Sequence, residues 1–383
     1  MRVLFIQAFG MQAQAGGGTT KIFRSLLEEH PAEVGVLVYG VRPPQVGGRQ
    51  EEWFIRERIS LGRLERSRLA GACMLTRPLT WKSSRKAVFE SMSRWRPDHV
   101  HMHVQGLGFI HAAAWCRANK VAFSVSIHDD IRHLASNDPW KGFIETEASK
   151  VWREAANCFV ISPEIGREYG KRYGERRWIQ ITDGLRDEAI ARQPREGVPR
   201  RLSIYFAGAV NVPYEPNFRA LQHALKLYQK QHPGDAVRMV LRGGRHFEWE
   251  DSSAPKIEVR PFGTPQEVAA DLQDADILYL PLSIDARYSN FAKFSLSTKM
   301  VAYLGAGLPI FYHGPRESAA VRLLRDAGAC VGCSSNDVAD LLAVLDKCIK
   351  QRDVTTLNAL RLANERFRLE PIRERFWGTI MQQ

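Results

Sequence analysis

Short apolar runs recur along the chain, each closing on glycine or polar residues and leading into apolar positions at helical spacing. Residues 3–6 form the first run. It is followed by Gly10 and the turn Gly16-Gly17-Gly18-Thr19-Thr20, after which Ile22, Phe23, Leu26 and Leu27 mark one face of a helix. Further runs at 34–39, 99–104, 121–127, 157–161 and 178–181 predict strands, with a helix over 107–117 between two of them. Residues 187–201 are polar and carry Pro194, Gly197 and Pro199, with no sustained apolar pattern, so they read as a linker. Beyond them the alternation resumes. Strands are expected at 202–206, 237–241, 257–259, 277–280, 309–312 and 329–331, and helices near 217–231, 265–272, 299–304 and 318–327.

Strands that alternate with helices imply parallel sheets covered on both faces. The fold class expected is α/β, with two Rossmann-like domains. The first covers 1–190, the linker 191–200 and the second 201–356, and a terminal helical segment 357–383 carries Arg and aromatic residues at helical spacing. A chain of 383 residues exceeds what one compact core holds, and its 44% hydrophobic and 25% charged composition is that of ordinary globular proteins.

No apolar run approaches the ~18 residues of a membrane span. The run at 3–6 is shorter than the roughly 7 to 15 residues of a signal-peptide core, so a cytoplasmic protein is expected. The six cysteines are scattered. Cys330 and Cys333 form a lone C-x-x-C without a second ligand pair, which favours reduced packing residues over a zinc site.

The net charge of +12 is concentrated. Between Arg56 and Arg96 lie eleven Arg or Lys against three acids, interleaved with Trp53, Phe54, Leu69, Trp81, Phe89 and Trp95. Such a segment suits an anionic membrane surface, a phosphorylated acceptor or nucleic acid, and equally a solvated helical face.

Ligands of open parallel sheets bind beyond the carboxyl ends of the strands, where loops enter helices. Gly16, Gly17 and Gly18 lie at such an end, as a backbone that can approach a phosphate or sugar closely or as a plain turn. So does the loop His128-Asp129-Asp130, whose Asp129 is a candidate for substrate binding. Ser297, Thr298 and Lys299 open a helix, where hydroxyls and an ammonium can neutralise a diphosphate. His99, His101 and His103 alternate along one strand face, but too few carboxylates accompany them for a metal site, and none is expected.

The stretch Asp274-Ala275-Asp276-Ile277-Leu278-Tyr279-Leu280-Pro281, followed by Ser297-Thr298-Lys299 and Gly305-Ala306-Gly307-Leu308-Pro309-Ile310, resembles the donor domain of GT-B glycosyltransferases. The likeness is strongest to the glycogen-synthase-like (group 1) family of bacterial surface-sugar transferases. The opening glycine turn, His128 at a strand end and Asp183-Gly184 in place of Asn-Gly fit the same pattern.

The resemblance implies two domains facing a central cleft, with the terminal segment 357–383 as one helix that crosses back to the first domain. It places Lys299, Ser297 and Thr298 on the donor diphosphate, His128 against the transferred sugar as the catalytic residue, and Gly208, Arg242 and Gly243 in loops lining the nucleotide. Two glutamates of the family pattern fall at Phe294 and Ala302 and are missing here.

The expected activity is transfer of a sugar from a nucleoside diphosphate sugar to a hydroxyl of a lipid-linked or polysaccharide acceptor. No cofactor and no nucleic-acid partner are expected, and the protein is placed in the cytoplasm, with an anionic membrane surface as a further partner. A sugar-nucleotide epimerase of the same fold and a non-catalytic module for anionic glycans or lipids are the rival readings.

Overall fold

The computed structural model describes residues 1–11, 17–41, 43, 51–62, 73–195, 201–210, 212–234, 236–243 and 256–382. Within them the chain divides into two compact units, Met1–Asp183 with Glu370–Gln383, and Gly184–Leu369.

In the first unit seven parallel strands are β1 (Arg2–Gln7), β2 (Glu33–Gly40), β3 (Glu51–Arg56), β4 (His99–His103), β5 (Ala122–Ile127), β6 (Asn157–Val160) and β7 (Trp178–Gln180). They lie in the order β3-β2-β1-β4-β5-β6-β7. The order reverses direction at β1, which places the turn after β1 and the loops after β4 and β5 at the switch point where such sheets take ligands. Helices α1 (Gly18–Leu27), α2 (Arg77–Trp95), α3 (Gly108–Asn119), α4 (Ile131–Leu134), α5 (Lys141–Glu154) and α6 (Pro163–Tyr173) connect the strands.

Strand β3 is not among the expected strands. Its sequence, Glu-Glu-Trp-Phe-Ile-Arg, has charges at both ends and only three apolar residues, as suits a sheet edge. The clustered charge of the segment is also smaller at the surface than the sequence implies. Arg58 is buried, Arg77 is buried against Glu57 and Asp138, and Trp53 packs edge-on against Trp95 at 5.8 Å. Arg63, Arg66, Arg68 and Leu69 lie outside the described residues.

The second unit holds β8 (Arg201–Ala207), β9 (Ala236–Arg242), β10 (Lys256–Arg260), β11 (Ile277–Pro281), β12 (Ile310–His313) and β13 (Val331–Cys333), all parallel, in the order β10-β9-β8-β11-β12-β13. Its helices are α7 (Glu215–Gln231), α8 (Pro265–Gln273), α9 (Ser289–Phe294), α10 (Thr298–Leu304), α11 (Ala319–Asp326), α12 (Val338–Lys350) and α13 (Arg352–Arg366). Phe206, Phe218, Tyr279 and Phe311 form the aromatic centre of its core.

The terminal segment forms two helices rather than one. Helix α13 ends at Phe367, where Arg368 pairs with Leu185 in an isolated bridge, and α14 (Leu369–Met381) follows with Pro371 in its first turn. From Glu370 onward the chain is part of the first unit. Phe376 packs at 4.9 Å from Phe159 and 5.1 Å from His101, Trp377 donates to the Leu26 carbonyl at 2.8 Å, and Arg373 donates to the Ser25 carbonyl. The units therefore change over at 183/184 and 369/370, seven residues before and thirteen after the borders expected from composition.

Candidate functional site

In the second unit the turn after β8 is built around Gly208. Its φ of +129° is open to glycine and strained for other residues, and its N–H donates to the Arg242 carbonyl at 2.8 Å. The neighbouring Ala207 N–H donates to the Tyr303 hydroxyl at 3.0 Å, which ties the end of β8 to α10. Helix α10 is only seven residues long and is capped by Ser297, whose Oγ accepts from the Lys299 N–H at 3.2 Å. That hydroxyl is thus occupied by capping.

Lys299 then crosses directly over the turn. A Cβ placed on Gly208 would sit 3.0 Å from both Cε and Nζ of Lys299. The Nζ lies 3.9 Å from the centroid of the Phe206 ring and 5.9 Å from that of Tyr214. Surrounded by ring faces and backbone, the ammonium is pushed down by desolvation to about 7. Among the described residues no carboxylate lies within ion-pair distance of it. The two positions where the family pattern has glutamates hold a buried Phe294 and an exposed Ala302. An anion arriving here would meet a cation without an internal partner, a glycine backbone and the Thr298 hydroxyl.

Arg242 and Gly243 close the neighbouring strand end. Arg242 is buried and gives Nε and Nη2 to Asp271, at 2.5 and 2.9 Å, while Arg260 reaches the same carboxylate. Burial raises the Asp271 carboxyl, but hydrogen bonds from Arg242 and Arg260 outweigh it and hold the group below its usual range. The Arg242 guanidinium is therefore spent inside the unit, its Nη1 more loosely than the rest, 3.4 Å from the Pro261 carbonyl and 3.8 Å from Glu267 Oε1. Gly243 has φ +82°, and a Cβ there would meet the Phe262 ring at 2.6 Å, so its glycine is explained by packing.

In the first unit the glycine turn after β1 leads into α1. Gly16 lies outside the described residues. Gly17 caps the helix without a side chain, and a Cβ on it would meet nothing within 4 Å, so its neighbours within the fold do not demand glycine.

The first turns of α1 carry two links to distant strand ends. Thr19 Oγ1 lies 3.3 Å from Nδ1 of His128, and Lys21 Nζ lies 2.6 Å from Oδ2 of the buried Asp183. His128 stacks on Phe23 at 5.2 Å and stands 4.9 Å from His103. Burial pushes its imidazole down to about 4, so the ring is neutral at physiological pH. With Nδ1 engaged by Thr19, Nε2 is the atom left for a ligand; it has no hydrogen-bond partner among the described residues. Thr19 and Lys21 escaped the sequence reading because single polar residues in a first helical turn carry no pattern of their own.

Asp129 is half-buried, and desolvation raises its carboxyl. Asp130 is structural. It caps α4 by accepting from the Arg132 N–H and receives Arg172 Nη1 at 2.8 Å. The histidines of β4 are held by serines of β5: His99 and His101 reach Ser124 Oγ at 2.9 and 2.8 Å, and His101 reaches Ser126 Oγ at 2.9 Å. Among the described residues no three His, Cys, Asp or Glu are grouped so as to hold a metal ion, and no helix is long and apolar enough to cross a membrane.

Comparison with known proteins agrees with this architecture. Residues 17–182 match the glycosyl transferase 4-like domain. No curated protein matches the chain.

Among solved structures, trehalose-6-phosphate from E. coli bound with UDP-2-fluoro glucose aligns over 100% of this chain and 99% of its own, with TM-score 0.68 and 10% identity. The UDP-forming α,α-trehalose-phosphate synthase from Burkholderia xenovorans in complex with glucose-6-phosphate aligns over 100% of both chains, with TM-score 0.68 and 11% identity. The N-terminal domain of Candida albicans trehalose-6-phosphate phosphatase covers 100% and 96%, with TM-score 0.69 and 10% identity. The chain has the GT-B fold, and the part of it similar to the glycosyl transferase 4-like domain lies within the first unit.

Proposed function

We propose that this protein is a glycosyltransferase that takes one sugar from a nucleoside diphosphate sugar to a hydroxyl of a lipid-linked or polysaccharide acceptor. The observation that carries the proposal is the crossing of Lys299 over Gly208 at the carboxyl end of β8, a cation with no counterion among the described residues, above an open backbone. In the transfer, the bond between the anomeric carbon and the diphosphate breaks with its electron pair staying on the diphosphate oxygen, the acceptor oxygen forms the new bond to that carbon, and the acceptor proton passes to His128 Nε2 or to an oxygen of the leaving diphosphate. Negative charge grows on the leaving diphosphate. Lys299 stabilises it there, so no divalent cation is needed in this reading.

His128 serves the sugar side, with Nε2 free to accept a hydrogen bond from a sugar hydroxyl or the proton of the acceptor. Thr19 holds its Nδ1, and Phe23 stacks on the ring. Support for UDP as the nucleotide comes from the structures bound to a UDP sugar or described as UDP-forming. An anionic membrane surface remains part of the proposal, supported by the exposed Lys82, Arg85 and Lys86 of α2.

The test is release of nucleoside diphosphate from UDP-glucose and other sugar nucleotides, with and without oligosaccharide and lipid-phosphate acceptors. Acceptor-dependent release supports transfer. Isomerised sugar without release supports an epimerase, and nucleotide binding with neither outcome supports a silent module.

A further inference from the structure

The first unit carries an aromatic cavity that the site above does not use. It measures about 510 Å3 and is lined by Trp81, Pro139, Trp140, Gly142 and Phe143. Its walls come from the beginnings of helices: Trp81 from the second turn of α2, Trp140 from the cap of α5 and Phe143 from its first turn. Because all strands are parallel, helix beginnings lie at the carboxyl ends of strands, and the cavity opens on the same rim as His128 and the turn before α1.

The three rings meet edge to face. Trp81 and Trp140 are 5.2 Å apart at 66°, Trp81 and Phe143 5.8 Å at 73°, and Trp140 and Phe143 6.0 Å at 82°. They pack against one another as one aromatic platform, and the hollow that they line is open to solvent. Trp81 is anchored from behind by His111 at 4.2 Å, which in turn meets the Tyr39 hydroxyl at 3.2 Å.

Two features say what fits. Three indole N–H groups are committed, Trp115 to Ser93, Trp152 to the Gly174 carbonyl and Trp377 to the Leu26 carbonyl, whereas those of the half-exposed Trp81 and Trp140 have no partner among the described residues. An aromatic wall with free donors suits a ligand with an apolar face and an oxygen-rich edge.

The charge around the cavity is positive. Lys82 and Arg85 flank Trp81 on α2 and Lys141 separates Trp140 from Gly142, all three exposed. The nearby carboxylates are already committed, Asp138 to Arg77 and Glu145 to Arg132 and Tyr173. An acyl chain would leave one side in water, since Phe143 is 41% exposed and Trp81 and Trp140 are half-exposed.

We infer that this cavity holds a sugar unit of an anionic glycan, its ring against Trp81, Trp140 and Phe143 and its carboxylate or phosphate toward Lys82, Arg85 and Lys141. The inference rests on the transferase reading insofar as it makes that glycan the acceptor. The binding itself is tested separately.

Isothermal titration at low salt compares a galacturonate pentamer with maltopentaose. The acidic pentamer binds wild type, and the neutral one binds about tenfold more weakly. Phe143→Ala weakens the acidic pentamer by about tenfold, and Lys141→Gln weakens it with a shallower salt dependence. Gly142→Met is the second variant. Gly142 lines the cavity and a Cβ on it meets nothing within 4 Å, so the fold accommodates the variant, and the added side chain weakens binding of the acidic pentamer.

UDP affinity is the same in all these variants. Its absence in wild type would sink the transferase reading and leave the cavity to be judged on the pentamer alone. The inference is overturned if wild type binds neither pentamer, if both bind alike, or if Gly142→Met binds as wild type does. It is also overturned if phosphatidylglycerol vesicles, and not the pentamer, lose binding in the variants.

Discussion

Gly208 and Lys299 occupy one another's space: the lysine's terminal Cε and Nζ stand where a side chain on residue 208 would begin. The turn therefore does two things. It takes a backbone angle that glycine tolerates best, and it leaves the ammonium lying over bare backbone at the end of β8.

Gly208→Ala should cost about 1–3 kcal/mol of stability, from backbone strain at φ +129°. It should also push Lys299 aside and weaken UDP binding. Urea unfolding and calorimetry on the same preparation separate the two effects. A folded variant with wild-type UDP affinity would detach the turn from the donor site.

The lowered Lys299 ammonium gives donor binding a pH dependence whose sign is fixed. Its value of about 7 in the free protein leaves the side chain largely neutral at pH 8, whereas a bound diphosphate favours the charged form. UDP binding at pH 8 should take up a proton, and affinity should fall as pH rises above 7. Titrations in buffers of different ionisation heat measure the proton directly. Proton release, or affinity flat from pH 6.5 to 9, contradicts the assignment.

The buried histidines of β4 and of the loop after β5 make the first unit acid-sensitive. His99 and His128 are each pushed down to about 4 by burial, while the unfolded chain titrates them near 6.5. A group lowered in the folded state contributes stability above its unfolded value and loses it as pH falls. Each of the two should therefore cost about 3 kcal/mol between roughly pH 6.5 and 4. Urea unfolding across that window should show a steady decline. Stability unchanged down to pH 4.5 would mean that these rings are not buried as described.

His128→Gln keeps a polar group of similar size beside Thr19. It should lower turnover of the sugar nucleotide by about ten- to a hundredfold if the imidazole acts on the transferred sugar or the acceptor proton. UDP affinity should stay unchanged, because the diphosphate rests on Lys299. Lost affinity with normal turnover would reverse the roles.

The fold was largely legible because parallel strands buried on both faces read as apolar runs; a strand forms at or beside each expected run, the last of them at Val331–Cys333, two residues beyond the run at 329–331. What escaped was set by the third dimension. Strand β3 has too few apolar residues to stand out from its charged flanks. The split between α13 and α14 depends on the pairing of Arg368 with Leu185, far away in sequence.

In the candidate site, Lys299 and Gly208 could be named singly, but their mutual contact is a tertiary fact. Arg242 looked like a free nucleotide contact, and nothing in its own neighbourhood foretold Asp271, twenty-nine residues on. Lys21 and Asp183 could not be paired from sequence across 162 positions.

The most direct measurement is calorimetric titration of UDP into wild-type protein and into Lys299→Ala. The account predicts saturable binding to wild type and at least about a tenfold loss in the folded variant, the equivalent of ~1.4 kcal/mol or more from one diphosphate contact. Equal affinity in the two proteins, or no binding of UDP, GDP or dTDP to wild type, would contradict it.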